Sequence, residues 1–143
     1  MSAKLTFDNR YAALSHVWFV AAAALFTVGM YGLAEILANR VAKQEEYIAR
    51  VPAVAILPWF LAGSLFPITA MPVVLTWIAK FLPLTHALAL MRYGLLGDPS
   101  GLHNIWELSN PTAMAVLSLA AVAVFALTLT IASIRVFARS AVR

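Results

Sequence analysis

Few side chains in this sequence could do chemistry, and they are scattered. The ionisable groups within or beside its apolar stretches are His16, Glu35, His86 and Arg92, with His103 and Glu107 in a more polar segment. His86 and Arg92 stand about one and a half helical turns apart, which could bring an imidazole and a guanidinium to one anionic group. No nucleophile or acidic partner accompanies them, so an enzyme built on this pair is the weakest of the readings. His103 with Glu107 supplies one imidazole and one carboxylate, short of a metal set. The chain has no cysteine, which excludes disulfides, thiolate nucleophiles and cysteine-ligated zinc or iron–sulfur clusters. The strings H-E-x-x-H, G-x-S-x-G and G-x-x-x-x-G-K-S/T do not occur, so zinc proteases, serine hydrolases and phosphate-binding loops are unsupported.

The elements that must position these residues belong in lipid. Of 143 residues, 63% are hydrophobic and 11% charged, and the mean hydropathy is +0.88. Soluble domains carry about 25% charged residues, and a chain with less than half that share cannot cover a surface in water. The net charge of +4 would suit nucleic acid in a soluble protein. Here the cations flank apolar runs one at a time, the pattern of membrane topology, and no nucleic-acid partner is expected.

Three runs are long enough to cross. Residues 11–34 carry no charge and predict a first helical span over 11–38. A secretory signal is the lesser reading, since such an apolar core has only about 7–15 residues. Residues 39–50 are polar and mixed in sign, a short loop or interfacial helix. Residues 51–79 are again free of charge but interrupted by Pro52, Pro58, Pro67 and Pro72, which predicts a second span over 51–67 ended by proline. Two pieces too short to cross follow, separated by Pro83, and predict a re-entrant or interfacial helical hairpin over 72–98 on the external side. The turn residues 97–101 close it. The third span is 111–135, with Ser109 or Asn110 as cap and Pro111 at the first helical position. The fold class is therefore all-α integral membrane, a single transmembrane domain over 1–143.

Cations near the span ends set the orientation. Arg40, Lys43 and Arg50 group with Arg135, Arg139 and Arg143 on the cytoplasmic side, against Lys4, Arg10, Lys80 and Arg92 on the other. Glu35 reads as an interfacial carboxylate paired with Arg40 or reaching water, and His16 as an interfacial residue beside Trp18. Trp59, Trp77, Trp106 and Tyr93 fit an aromatic belt. Gly29, Gly32 and Gly63 permit close helix approach.

One string is more specific than composition. Residues 58–67 read Pro-Trp-Phe-Leu-Ala-Gly-Ser-Leu-Phe-Pro, followed by Met71-Pro72, then Pro83-Leu84-Thr85-His86, then Arg92 and Gly97-Asp98. This resembles the carboxy-terminal half of an ABC-2 type transporter permease, the membrane subunit of exporters similar to the daunorubicin-resistance and nodulation-factor systems. Gly63, Phe66, Pro67, Pro72, Pro83, Leu84, Thr85, His86 and Arg92 fall on the family's pattern in order. Ala62 stands where the family often has Ser, and Met71 where Leu is usual.

The resemblance implies a permease that moves a hydrophobic, drug-like, lipid or glycan substrate across the cell (plasma) membrane. It implies a cytoplasmic ATPase subunit that holds ATP and Mg, a second permease copy, and no catalysis or cofactor on this chain. The family has six spans, so residues 1–143 are expected to correspond to its last three, with the loop that docks on the ATPase lying outside them. His86 and Arg92 have two readings, anchoring the hairpin at headgroups or meeting an anionic part of a departing substrate. A small membrane scaffold that engages no ATPase is the alternative from another class.

Overall fold

The computed structural model describes residues 2–41, 43–65 and 67–140, with side chains described from residue 16 to 139. Phe66, Arg143 and the side chains of Lys4 and Arg10 lie outside the described residues. The elements are α1 (Ser2–Arg40), α2 (Gln44–Leu61), a 3-10 turn (Ile68–Ala70), α3 (Val73–Phe81), α4 (Pro83–Leu96), α5 (Ser100–Trp106) and α6 (Pro111–Ser140). Among the described residues there is no strand.

The helix ends follow from local chemistry. Lys43 is extended (φ −103°, ψ 127°) and starts α2, whose first turn carries Glu45 and Glu46 against the positive end of the helix dipole. Glu46 also pairs with Arg50 one turn on. Helical structure thus begins within the polar stretch expected to be loop or interfacial helix, and Pro52 and Pro58 sit inside α2. Each proline leaves one carbonyl without its intrahelical donor. α2 ends at Leu61, before Pro67: Gly63 turns the chain at φ 78°, a left-handed value that glycine adopts without steric cost. Gly63 therefore works as a chain-turning residue here.

Proline also explains the hairpin. Leu82, forced out of helical geometry by Pro83, is extended at φ −71° and ψ 125°, and α3 and α4 meet at 76°. Thr76 Oγ1 lies 2.9 Å from the Ile68 carbonyl and ties α3 to the 3-10 turn. Gly97, at φ 67°, ends α4 in a left-handed cap. Asp98 Oδ1 then accepts from the Ser100 amide at 2.9 Å and Oδ2 from the Ser100 hydroxyl at 2.7 Å, opening the short helix α5. Asn110 caps α6 as expected: its Oδ1 accepts from the amides of Thr112 at 3.0 Å and Ala113 at 3.3 Å.

α4 is the centre of the molecule, packed on both α1 and α6. Thr85, His86, Ala87, Ala89, Leu90 and Gly94 are buried along it. The core is built from small side chains with a few large ones, notably Leu90, Leu102 and Met114. α1 and α6 run parallel: Gly29 faces Phe125 and Ala126, and Gly32 faces Leu129 and Thr130, so the numbering rises together along the contact. α1 and α2 share the lining of a small apolar cavity, Met30, Leu33 and Leu37 from one and Tyr47, Val51 and Val54 from the other.

Two helical segments are long and apolar enough to cross a membrane, His16–Arg40 and Pro111–Arg139, and the bent pair α3 and α4 qualifies only when taken together. α2 is not among them, because Glu45, Glu46 and Arg50 crowd its start. Only 17% of the apolar stretch of the first segment and 28% of that of the second are buried within the chain, so most of both stretches faces outward. Outward-facing apolar residues such as Val20, Leu127 and Phe137 make lipid their solvent. The chain is a membrane protein.

Candidate functional site

Two polar arrangements stand out from this apolar setting. The first joins four elements. Lys80, in the last turn of α3, offers its carbonyl to His86 Nε2 at 2.9 Å. A carbonyl only accepts, so Nε2 carries the proton and neutral His86 keeps a lone pair on Nδ1. Ser118 of α6 lies 3.2 Å from Nδ1 and donates its hydroxyl there. The Ser118 oxygen in turn accepts from Trp106 Nε1 of α5 at 2.8 Å. Every hydrogen-bonding atom of the chain Trp106–Ser118–His86–Lys80 is thereby used in one direction.

The side chain of Lys80 closes the cluster. Its Nζ donates to Glu107 Oε1 at 2.7 Å and lies 5.7 Å from the centre of the Trp77 ring. The Lys80 ammonium holds the Glu107 carboxyl below its ordinary carboxylate range. Glu107 itself has φ 57°, a left-handed conformation that ends α5. His86 and Ser118 are 5% and 0% exposed. A serine beside a histidine can be a nucleophile, but this one is closed off from substrate and its oxygen already takes the Trp106 proton. The cluster clamps the hairpin to α6.

The second arrangement is a cleft of about 120 Å³ between residues 62–68, α4 and α5. Gly63, Pro67, Thr85, Arg92, Ser100 and Asn104 are among its lining residues. Arg92 Nη2 donates to the Gly63 carbonyl at 3.2 Å. No carboxylate lies within ion-pairing distance of Arg92 among the described residues. The nearest acid in sequence, Asp98, is occupied by Ser100, whose amide and hydroxyl, with the field of Arg92, keep its carboxyl below the usual range. Thr85 is 4% exposed, and its Oγ1 is buried without a hydrogen-bond partner.

The residues of the sequence pattern therefore divide. Gly63, Pro67, Thr85 and Arg92 meet at the cleft. His86, adjacent to Thr85 in sequence, turns to Ser118 instead, so His86 and Arg92 do not converge on one group. Pro72 precedes α3, Pro83 makes the elbow, and Leu84 lines a separate apolar cavity of about 220 Å³ with Phe26, Pro58 and Phe125. No ion pair links Glu35 to Arg40 among the described residues. A spacing of five residues puts Glu35 and Arg40 on different helix faces. His103 Nδ1 donates to the Leu108 carbonyl at 3.1 Å, and no group of metal-ligating side chains forms among the described residues.

Sequence reasoning missed Ser118 and assigned Trp106 to an aromatic belt. A serine in the middle of an apolar helix is a usable signal, since it needs a partner there, but nothing in the sequence pointed to α5 and α4 as its suppliers.

A family model described as ABC-2 type transporter matches residues 3–96, about two thirds of the chain. Nodulation protein J of Rhizobium leguminosarum bv. viciae is 33% identical over 87 residues, covering 57% of this chain and 34% of that protein. Nodulation protein J of Rhizobium leguminosarum bv. trifolii is 33% identical over 94 residues, covering 62% of this chain and 36% of that protein. The chain spans about a third of the length of these curated relatives. No solved structure matches.

Proposed function

The chain belongs to the ABC-2 type transporter family, and on that premise we propose that it is a membrane permease subunit of an ATP-driven exporter in the plasma membrane. Family membership suggests the coarser part, an exporter membrane subunit. ATP and Mg belong on a separate cytoplasmic ATPase, a second permease copy completes the route, and the cargo is a hydrophobic, drug-like, lipid or glycan molecule.

The observation that carries this reading is the family match, and the parallel packing of α1 and α6 supports the topology it implies. Parallel spans need one net crossing between residues 41 and 110. On this reading α2, which shares a cavity lining with α1, is that crossing and the second span, despite its charged start. The hairpin then enters and leaves on the same side. Its elbow at Leu82, Pro83 and Leu84 lies by Phe26 and Phe125, each near the middle of its crossing segment. On this reading the hairpin is re-entrant, and parallel α1 and α6 bring Arg40, Lys43 and Arg50 to the same end as Arg135 and Arg139, taken as the cytoplasmic one.

Transport in this arrangement is a shift between two packings of the bundle. ATP bound by the partner favours one packing, and cargo moves because the two open to different sides. α4 packs on both α1 and α6, so a change in how those two sit is felt in its packing.

Tagged chain, expressed in its own host, should bring down a nucleotide-binding subunit, and its deletion should lower export of a cargo that the complex moves. The purified chain alone should hydrolyse no ATP. Turnover by the isolated polypeptide would overturn the proposal; so would the absence of any ATPase partner together with unchanged efflux, which would favour a scaffold.

A further inference from the structure

We propose that the cleft between residues 62–68, α4 and α5 is a binding site for a phosphate-type oxyanion, with Arg92 as the charge partner and Thr85 Oγ1 as a hydrogen-bond donor. Three observations carry it. The first is Thr85. Its hydroxyl is buried with no partner in an otherwise satisfied interior, and such a group costs free energy unless something bonded to it is present.

The second is Arg92. Its guanidinium has no carboxylate within ion-pairing range among the described residues, and its one hydrogen bond given by the structure goes to the Gly63 carbonyl. That bond holds Arg92 while leaving further N–H donors for a ligand. A guanidinium matches the paired oxygens of phosphate or carboxylate better than any other side chain.

The third is their shared face. Thr85 and Arg92 are seven residues apart on α4, which returns to the same side of the helix after two turns. Helical side chains lean toward the amino terminus, so the long arm of Arg92 reaches back over the turn toward Thr85. The volume of about 120 Å³ exceeds what a single water needs several times over and admits a tetrahedral oxyanion. Asp98 keeps its charge and would oppose an anion, but its oxygens are turned to Ser100 and it does not line the cleft. The phosphate could belong to a lipid headgroup or to a free or cargo-borne phosphate. The site thus adds a ligand chemistry to the exporter reading, while equilibrium binding requires no ATPase, so the two can fail separately.

The test uses the full chain in neutral detergent, titrated calorimetrically with inorganic phosphate, and the same chain in nanodiscs of phosphatidylglycerol or of digalactosyldiacylglycerol, a bilayer lipid without phosphate, with retained lipid counted by native mass spectrometry. Saturable phosphate binding would support a free or cargo-borne ion. Selective retention of phosphatidylglycerol without it would support the headgroup. In either arm Arg92→Gln should weaken binding about tenfold or more. Thr85→Val should weaken it about threefold to tenfold, and Thr85→Ser, which keeps the hydroxyl and guards against a packing artefact, should bind as the parent does. Equal behaviour of the parent and Arg92→Gln in both arms, or no phosphate binding together with no preference between the two lipids, overturns the proposal.

Discussion

Ser118 on α6 donates its hydroxyl to His86 on α4 at 3.2 Å, a hydrogen bond between buried groups 32 residues apart. Because the same oxygen accepts from Trp106, removing it strands two groups at once. Ser118→Ala should destabilise the folded chain by about 1–2 kcal/mol, toward the upper end for a polar contact among membrane helices. Unfolding of the detergent-solubilised chain measures it. A double-mutant cycle with His86→Ala should show that the two losses are not additive. Additive losses would mean that the contact carries no energy.

The ion pair of Lys80 and Glu107 makes stability depend on acid in a definite direction. Lys80 lowers the folded-state pKa of Glu107 from an ordinary value of 4.5. A lowered carboxylate stabilises the fold fully above its unfolded-state pKa, and that contribution disappears as the pH falls through the folded value. The thermal midpoint should therefore drop as the pH is taken from 7 to below 4.5, and drop less in Glu107→Gln. Asp98, lowered by Ser100, should leave a residual acid dependence in that variant. An identical slope in parent and variant would show that the pair contributes nothing.

Apolar run lengths, the proline positions and the Asn110 cap were enough to foresee α1, the elbow and α6, because each rests on a local rule. The boundaries of α2 were not foreseen: its start was placed at Val51, past the polar stretch, and its end at Pro67, whereas the helix opens at Gln44 and the chain turns at Gly63. The cleft was half legible. Arg92 and Thr85 both stood out in the sequence, but His86 was paired with Arg92, because spacing along a helix does not say which neighbour claims a side chain. That choice was made by Ser118, Trp106 and the Lys80 carbonyl, all brought in by tertiary packing.

Gly32 and Gly29 test the α1 and α6 contact by degrees. A Cβ on Gly32 would stand 3.0 Å from the backbone carbonyl carbon of Leu129, and backbone cannot step aside without parting the helices. A Cβ on Gly29 would meet the Phe125 ring at 2.9 Å, and a ring can turn. Gly32→Ala should cost about 1–3 kcal/mol and Gly29→Ala less. The order of the two unfolding midpoints is the readout, and a reversed order would mean that the helices are not in this register.

The parallel register of α1 and α6 also fixes which segments share a side of the membrane. Asn39 follows Gly32 by about two turns, and Ala138 lies about two turns beyond Thr130, so both emerge at the same end. Ser109 precedes α6 at the opposite end. Because the chain has no cysteine of its own, single replacements report cleanly. Asn39→Cys and Ala138→Cys should react with a membrane-impermeant maleimide only from the cytoplasmic side, and Ser109→Cys only from the outside. If Asn39→Cys and Ala138→Cys react from different sides, α1 and α6 are antiparallel in the membrane, and both the returning α2 and the re-entrant hairpin must be abandoned together.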